Sequence, residues 1–242
     1  MSEGVRKPIP DAIELAWRGK AQERPGPKPA FELHDIVDAA VEMADRHGLA
    51  EVSLAKVAAV LDCATTALYR YVRSKADLLI LMRDRAAAPP DLPAERGQEW
   101  PDRLRVIARE LFAAYRAHPW MLDVPSTGPS TTPNELTWGE HILRALDDTT
   151  LGPVERLRVV TLVTGYTREQ ARLATVIETA AGQADSPAYG AILRAFVTAD
   201  RYPAFASILT LGALDGPVAY SDDEFAFGLD RIIDGIAAID TR

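Results

Sequence analysis

Cysteine and long apolar runs are scarce in this chain. Cys63 is the single cysteine in 242 residues, so no internal disulfide is available and a reducing compartment is indicated. No run of about eighteen apolar residues occurs, which excludes a membrane-spanning helix of ordinary length. Residues 1–20 contain no continuous apolar segment of the kind that signal peptides carry. We therefore expect a cytoplasmic protein that does not enter a membrane.

Sequence motifs for catalysis and for cofactor binding are also missing. No Walker, Rossmann or zinc-ligand spacing occurs in the chain. Beyond residue 47 the only histidines are His118 and His141, and neither lies in a motif with serine, cysteine or paired carboxylates. We therefore expect no enzymatic activity, no bound metal and no cofactor.

The net charge of −8 at pH 7 argues at first sight against a nucleic-acid partner. Its distribution matters more, because residues 1–85 contain equal numbers of basic and acidic side chains and the whole negative excess lies in 86–242. A small neutral part that gathers its basic groups on one face, carried by a larger acidic body, is compatible with DNA binding. The charge pattern alone does not prove it.

Apolar residues recur at the spacing of α-helices along nearly the whole chain, and no strand pattern or internal repeat competes. The sequence therefore predicts an all-α fold. Residues 1–30 differ, because they form a basic, proline-rich arm in which only 11–19 has a helical pattern. Such an arm either follows DNA phosphates into a minor groove or is a disordered tail. The other predicted helices span about 32–47, 53–61, 64–72, 75–88, 101–118, 133–147, 153–181, 186–198, a short stretch from 203, and 221–239.

Two short helices joined by a tight turn are predicted within 53–72. In the first helix, Leu54 and Ala58 lie on one apolar face, and the Ser53 hydroxyl is in position to cap the first turn. Asp62 stands in the turn, where it tolerates a geometry that glycine usually supplies. This arrangement is a helix-turn-helix, whose second helix is narrow enough to enter the major groove of DNA.

The second helix of this pair is predicted to bury Leu68 and Val72 and to direct threonine, tyrosine and arginine side chains outward. Arg70, Arg73 and Lys75 are able to neutralise phosphates, and the Thr and Tyr side chains are able to reach bases or backbone oxygens. The alternative is the ordinary solvated face of a small helical bundle, which spacing alone does not exclude. The predicted DNA contacts are Ser53, Thr65, Thr66, Ala67, Tyr69, Arg70, Tyr71 and Lys75.

The N-terminal pattern resembles the tetracycline-repressor (TetR) family of transcriptional regulators. The resemblance covers about 31–88 and is carried by Ile36–Ala40, Gly48-Leu49, Ser53-Leu54, Val57-Ala58, Ala67–Val72, Lys75 and Leu78-Leu79. A weaker similarity to the tetracycline-repressor-like C-terminal region, at 117–122 and 225–236, extends through most of 101–239. Asp62 departs from the family's usual glycine, and Ala64 from its usual Ser or Thr at the helix start, where Thr65 is an alternative cap.

The resemblance implies an arm at 1–30, a three-helix helix-turn-helix DNA-binding domain with its connecting helix at 31–88, and a larger helical ligand-binding and dimerisation domain at 89–242. It implies a regulator, with repression favoured, that binds a palindromic double-stranded operator as a homodimer and is released by a small molecule. The alternative is a small-molecule-binding protein of the same fold without sequence-specific DNA binding.

The resemblance also suggests where the effector and the partner subunit bind. A largely apolar effector would be lined by Tyr115, Trp120, Met121, Trp138, His141, Ile142, Thr164 and Arg168, each of which has core or surface packing as its alternative. The stripe Phe225, Leu229, Ile232, Ile233 and Ile236 of the final helix would form the homodimer interface with the long helix 153–181. The alternative is that this stripe closes the subunit's own core.

Overall fold

A computed structural model of the chain describes residues 9–18, 31–92, 99–125, 128–181, 189–216 and 219–240. Regular structure within these ranges is helical throughout, which confirms the predicted all-α fold. The α-helices there are α1 (Asp11–Arg18), α2 (Leu33–His47), α3 (Leu54–Val60), α4 (Thr65–Leu68), α5 (Lys75–Ala86), α6 (Trp100–Ala117), α7 (Pro133–Ala145), α8 (Pro153–Ala181), α9 (Tyr189–Phe196), α10 (Pro203–Thr210) and α11 (Asp222–Ala237). Two 3₁₀ helices, Leu49–Glu51 and Pro119–Leu122, follow α2 and α6. None of the described helices is long and apolar enough to cross a lipid bilayer.

Polar caps fix several of the helix starts that the sequence predicts. At α5 the Ser74 hydroxyl accepts a hydrogen bond from the Asp77 amide at 3.1 Å. At α11 the Ser221 amide donates to the Glu224 carboxylate at 2.7 Å, as part of a capping box. These bonds satisfy groups that the first helical turn leaves free. The predicted start of α9, near residue 186, lies outside the described residues.

Helices α2 to α5 enclose a first apolar core, which we call the N-terminal core. Its fully buried side chains include Ile36, Ala40, Val52, Val57, Leu68, Val72, Leu78 and Met82. Helix α1 packs along α5, with Ala12 fully buried and Leu15 against the same core. The helix predicted at 11–19 is thus confirmed and is attached to the core, whereas 1–8 and 19–30 of the predicted arm lie outside the described residues.

Helices α6, α7, α8 and α11 enclose a second apolar core, which we call the C-terminal core. Its fully or almost fully buried side chains include Leu104, Leu111, Trp138, Ile142, Leu146, Val163, Leu229 and Ile233. Phe225 of α11 stacks on Phe112 of α6, with ring centroids 4.5 Å apart, and on Tyr166 of α8, with centroids 5.6 Å apart. The final helix is therefore held by aromatic contacts from inside the subunit.

The stripe of α11 that was predicted as a homodimer interface faces this core. Phe225, Leu229, Ile233 and Ile236 are at most 4 % exposed, and Ile232 packs partly buried against the same core. The prediction is corrected for Phe225, Leu229, Ile233 and Ile236, because α6 and α8 already cover their apolar surface, whereas Ile232 keeps part of its surface exposed. The alternative interpretation, that the stripe closes the subunit's own core, holds.

Helices α9 and α10 pack on one another and expose a concentration of apolar side chains. Phe196 and Leu211 are 77 % and 80 % exposed, and a Cβ at Gly190 would overlap the Leu214 carbonyl. Further exposed apolar or aromatic side chains on this pair are Tyr189, Ile192, Tyr202, Phe205 and Ile208. Scattered exposed apolar residues are common on protein surfaces, but so dense a group indicates a contact surface.

Hydrogen bonds as well as packing connect the two cores. The Asp84 carboxylate, near the end of α5, accepts from the Asn134 amide at the start of α7, at 2.9 Å. The indole of Trp138 donates to the Ala87 carbonyl at 2.7 Å. The segment that leaves the N-terminal core is therefore anchored to α7 at two points.

Candidate nucleic-acid interface

Helix α3 opens the helix-turn-helix and is fixed at both its start and its inner face. The Ser53 hydroxyl accepts a hydrogen bond from the Lys56 amide at 3.3 Å, which confirms the predicted cap. Leu54, Val57 and Ala58 are buried against the N-terminal core. The Ser53 hydroxyl is therefore already engaged in capping, and its contact with DNA stays a prediction.

The turn between α3 and α4 depends on Asp62, whose φ is 49°. This left-handed region favours glycine, and aspartate visits it more readily than most other residues. The Cys63 amide donates to the Ala58 carbonyl at 3.0 Å and closes the end of α3. The predicted role of Asp62 in the turn is confirmed, so the departure from the family's glycine leaves the turn geometry in place.

Helix α4 is shorter than the sequence predicted. Its regular part is Thr65–Leu68, although the Tyr71 amide still donates to the Leu68 carbonyl at 2.9 Å. Ala64 is the N-cap, in an extended conformation and without a side-chain bond to the first turn. The alternative prediction that Thr65 supplies the cap is therefore wrong, because Thr65 is the first helical residue.

Burial of Leu68 and Val72 in the N-terminal core orients the rest of this segment. What we call the outward face of α4 consists of exposed Thr66 on the helix and of exposed Tyr69 and Arg70 in the turn that follows it, with half-buried Thr65 and Ala67 at its margin. Tyr69 is 52 % exposed, and Arg70 forms no ion pair with any residue that the structure describes. A hydroxyl, a phenol and an unpaired guanidinium are thus presented together by one short helix and the turn that follows it.

Tyr71 does not belong to that outward face, contrary to the prediction. Its side chain is half-buried, and its hydroxyl donates to the Phe31 carbonyl at 3.2 Å. The two rings also pack, with centroids 5.6 Å apart. Tyr71 therefore points back toward the start of α2, because an apolar ring next to the core is more stable against Phe31 than in water.

The basic residues that follow α4 have different surroundings. Lys75 is exposed at the first position of α5. Arg73 is exposed as well, but its guanidinium forms an ion pair with the carboxylate of Asp11, the first residue of α1. Glu14 of α1 also borders the small concavity that Arg70 and Arg73 line. Helix α1 thus brings two carboxylates to the basic side of the helix-turn-helix.

Three of the predicted effector residues lie on α7, and two of them belong to the C-terminal core. Trp138 and Ile142 are almost fully buried there. The ring of His141 meets that of Trp138 edge to face, with centroids 6.4 Å apart. Burial lowers the pKa of His141, and nearby Arg144 lowers it further. His141 is therefore disposed to be neutral and to hydrogen-bond without charge.

The other predicted effector residues are divided between the two cores. Burial raises the pKa of Tyr115, although the neighbouring charge of Arg168 opposes that rise. The Thr164 hydroxyl is used within α8, where it donates to the Val160 carbonyl at 2.7 Å. Trp120 and Met121 are buried in the N-terminal core. Tyr115 lies near the charge of Arg168 and packs against both the C-terminal core and the N-terminal core that contains Trp120 and Met121.

An open cleft of about 630 Å³ lies between the end of α2, the 3₁₀ helix Pro119–Leu122 and the C-terminal half of α8. Of the eight predicted effector residues, Trp120 alone lines it. The Asp45 carboxylate accepts from the His118 Nδ1 at 2.8 Å and from the Trp120 indole at 2.6 Å across this junction. Sequence reasoning missed Asp45, because its partners are 73 and 75 residues away and no periodic pattern links them.

Family comparisons cover most of the chain in two parts. Residues 36–82 match the family described as bacterial regulatory proteins, tetR family. Residues 92–239 match the family described as tetracyclin repressor-like, C-terminal domain. The first part contains the helix-turn-helix with the outward face of α4, and the second contains the C-terminal core.

Two relatives share about a third of their residues with the chain. The HTH-type transcriptional repressor DrrR1 of Streptomyces coeruleorubidus is 34 % identical over 238 residues, which cover 96 % of this chain and 86 % of the relative. An HTH-type transcriptional regulator of Saccharopolyspora erythraea is 34 % identical over 139 residues, which cover 57 % of this chain and 59 % of the relative.

Known structures share the arrangement of helices. The crystal structure of a possible TetR family transcriptional regulator from Streptomyces coelicolor A3(2) has a TM-score of 0.66 and 26 % identity, covering 86 % of this chain and 100 % of its own. ActR of Streptomyces coelicolor in complex with actinorhodin has a TM-score of 0.70 and 20 % identity, covering 86 % and 97 %. At that identity the likeness to ActR concerns the fold.

Proposed function

The chain belongs to the TetR family of bacterial regulatory proteins and is a helix-turn-helix transcriptional regulator; on this basis we propose that it represses transcription by binding a palindromic operator as a homodimer. A small molecule releases it from that operator. We assign DNA binding to 31–88 and effector binding and dimerisation to 89–242. Because bacterial operators lie in the cytoplasm, the protein acts there.

The outward face of α4 is the observation that carries the DNA-binding part of this proposal. Thr66 on α4 and Tyr69 and Arg70 in the turn after it are exposed, while Leu68 and Val72 of the same segment are buried and Lys75 is exposed nearby. Arginine and lysine neutralise phosphates, and arginine also forms paired hydrogen bonds to guanine in the major groove. An exposed face of this composition matches the needs of a recognition helix.

The outward face of α4 is small, and this is the reason for proposing a homodimer. A single recognition helix with few basic groups binds weakly, whereas two helices related by a two-fold axis, about 34 Å apart, contact two half-sites on one side of the duplex. We place the interface on the outer surfaces of α8 and α11, where Leu157, Leu162 and Phe227 are exposed. The exposed apolar pair α9 and α10 offers a further apolar surface to a partner.

Repression with release by a small molecule is supported by the named relatives. DrrR1 is a repressor, and ActR, which has the same fold, occurs in complex with actinorhodin. An effector lowers operator affinity only if it binds the DNA-incompetent conformation more tightly than the competent one. The hydrogen bonds from α5 to α7 give the C-terminal helices a direct mechanical connection to the N-terminal core.

Retention on generic duplex DNA at low salt tests the proposal with few assumptions. Replacing Arg70 and Lys75 together by alanine is expected to abolish retention, because it removes two phosphate-binding cations from the proposed face. The matched control replaces Arg109 and Arg144, two exposed arginines of the acidic part, and is expected to leave retention unchanged. Equal retention of both double variants would refute DNA binding through α4.

A further inference from the structure

We propose that the 630 Å³ cleft between the two cores is an effector site for an apolar molecule that carries an ammonium group, and that its occupation weakens DNA binding. The inference deepens the proposed function and rests on it for the effect on DNA. It concerns the cleft behind the helix-turn-helix, which of the eight predicted effector residues only Trp120 lines.

The cleft has the size and lining of a small-molecule site. Ligand pockets commonly span about 300 to 1,000 Å³ and combine apolar walls with a few polar groups. Trp120, Leu122 and Val176 supply the apolar surface here. Asp45 and Arg172 supply charge from opposite sides, one from α2 and the other from α8. A ligand between them would contact both cores simultaneously.

The charged side chains that line the cleft favour a cationic ligand. The Asp45 carboxylate accepts from His118 and from the Trp120 indole, and it has no lysine or arginine partner among the described residues. Arg172 is already balanced, because it donates to the Leu122 carbonyl and lies 3.6 Å from the Asp123 carboxylate. Glu169 approaches the same guanidinium at 3.8 Å. The lining of the cleft therefore carries two carboxylates, Asp45 and Asp123, and one guanidinium, and this excess of negative charge favours an ammonium group next to an apolar body.

Occupation of the cleft would act on the bonds that hold the two cores together. An ammonium group on the Asp45 carboxylate competes with His118 and Trp120 for the same oxygen, which both of them use at present. Loss of those bonds frees the end of α2 from the 3₁₀ helix Pro119–Leu122. Since α2 is packed against α3 and α5, the orientation of the helix-turn-helix changes with it. The ligand thus favours a conformation with a different spacing of the recognition helices.

Three probes of nearly equal size test the site directly: 4-phenylbutylamine, 4-phenylbutanol and 4-phenylbutyrate. Ligand-observed NMR titration of the full chain is expected to show saturable binding of the amine, about tenfold tighter than the alcohol and the carboxylate, because a charge-assisted bond is lost in the other two. Asp45→Asn is expected to remove this preference for the amine. Equal affinities for all three probes, or no saturable binding of the amine, would overturn the proposal.

A pair of valine variants locates the binding. Val176→Trp fills the cleft, whereas Val154→Trp adds the same bulk at a similarly exposed position of α8, outside the cleft lining. Val176→Trp is expected to weaken binding of the amine at least about tenfold and Val154→Trp to leave it unchanged. Equal effects of the two variants would contradict the assignment.

Fluorescence anisotropy with labelled duplex DNA separates the two proposals. The amine is expected to lower the DNA affinity of the unmodified chain and to leave that of Val176→Trp unchanged. If the amine binds in the cleft but the unmodified chain has no affinity for DNA, the proposed function is refuted and the ligand assignment stands. DNA affinity that the bound amine does not change would refute the regulatory part of the inference and keep the proposed function.

Discussion

The hydroxyl of Tyr71 donates a hydrogen bond to the main-chain carbonyl of Phe31, at 3.2 Å and 40 residues earlier in the chain. This bond and the packing of the two rings tie the end of the α4 segment to the start of α2. The outward face of α4 is thereby held at a fixed orientation. Tyr71 is a positioning residue, and the phenol available to DNA is that of Tyr69.

Tyr71→Phe removes the hydrogen bond and keeps the ring. The free energy of unfolding is expected to fall by about 1 kcal/mol, the usual net value of one hydrogen bond. Tyr71→Ala also removes the ring packing and is expected to cost about 2 to 3 kcal/mol, less than a fully buried aromatic. Urea unfolding measures both. A Tyr71→Phe protein of full stability that loses operator affinity would place this phenol on the DNA instead.

Asp11→Asn breaks the ion pair with Arg73 at the basic side of the helix-turn-helix. Because both side chains are exposed, little change in stability is expected. Arg73 becomes available to a phosphate, so affinity for generic DNA should rise and the salt dependence should steepen by about one unit. Salt titrations by fluorescence anisotropy measure this slope. Glu140→Gln, which breaks the exposed pair with Arg144 on α7, is the control, and equal slopes in the two variants would contradict the assignment.

Gly228→Ala tests the close packing of α8 on α11. A Cβ at residue 228 would overlap the phenol of Tyr166, with its ring carbons at 2.7 and 2.8 Å. That phenol donates to the Phe225 carbonyl at 2.8 Å and has little freedom to move. We expect a loss of about 1 to 3 kcal/mol in the free energy of unfolding, as for other overpacked sites.

Gly235→Ala is the matched control on the same helix, because nothing lies within 4 Å of a Cβ built there. Alanine is favoured over glycine inside a helix by about 1 kcal/mol, so this variant should be at least as stable as the unmodified chain. Thermal or urea unfolding of both variants gives the comparison. A Gly228→Ala protein as stable as Gly235→Ala would mean that α8 and α11 are packed less closely than described.

Asp84→Asn tests a buried carboxyl at the junction of α5 and α7. Burial raises the pKa of Asp84 above its ordinary value of 3.8, although hydrogen bonds from Thr132 and Asn134 oppose the rise. Well below pH 3.8 the carboxyl is protonated in both the folded and the unfolded state, and burial carries no ionisation penalty. As pH rises, Asp84 ionises in the unfolded chain first, because its pKa is lower there. The free energy of unfolding contributed by this site therefore falls until the pH passes the raised pKa of the folded state.

The free energy of unfolding of the unmodified chain, relative to Asp84→Asn, is therefore expected to fall as pH rises above 3.8. The amide variant is the reference because it keeps the shape and does not ionise. Urea unfolding of both proteins over a series of pH values measures the difference. A difference that grows with pH would mean that the folded state stabilises the ionised carboxylate.

Features set by residues close in sequence were predictable. The cap at Ser53 and the turn at Asp62 each depend on groups within a few residues, and the structure contains both. The long apolar period of α8 similarly gave its bounds, Pro153–Ala181. Local hydrogen bonding and periodicity determine such elements before tertiary packing acts.

Features set by distant partners were not predictable from one sequence. The orientation of Tyr71 depends on Phe31, and the burial of Phe225 depends on Phe112, more than a hundred residues away in the sequence. An apolar stripe on a helix indicates that this face of the helix is buried. It does not indicate whether the same subunit or a partner subunit buries it. The hydrogen bonds of Asp45 to His118 and Trp120 were not predictable for the same reason, because these partners are distant in the sequence.

The central claim is that the outward face of α4 reads an operator, and sequencing of the genomic fragments captured by the purified protein tests it most directly. The unmodified chain is expected to enrich a palindrome with half-sites about one helical turn apart. Tyr69→Ala should enrich no sequence, whereas Leu136→Ala, a comparably exposed apolar site on α7, should recover the same palindrome. Two results would contradict the claim. In the first, Tyr69→Ala enriches the same sequence as the unmodified chain. In the second, neither the unmodified chain nor Leu136→Ala enriches any sequence.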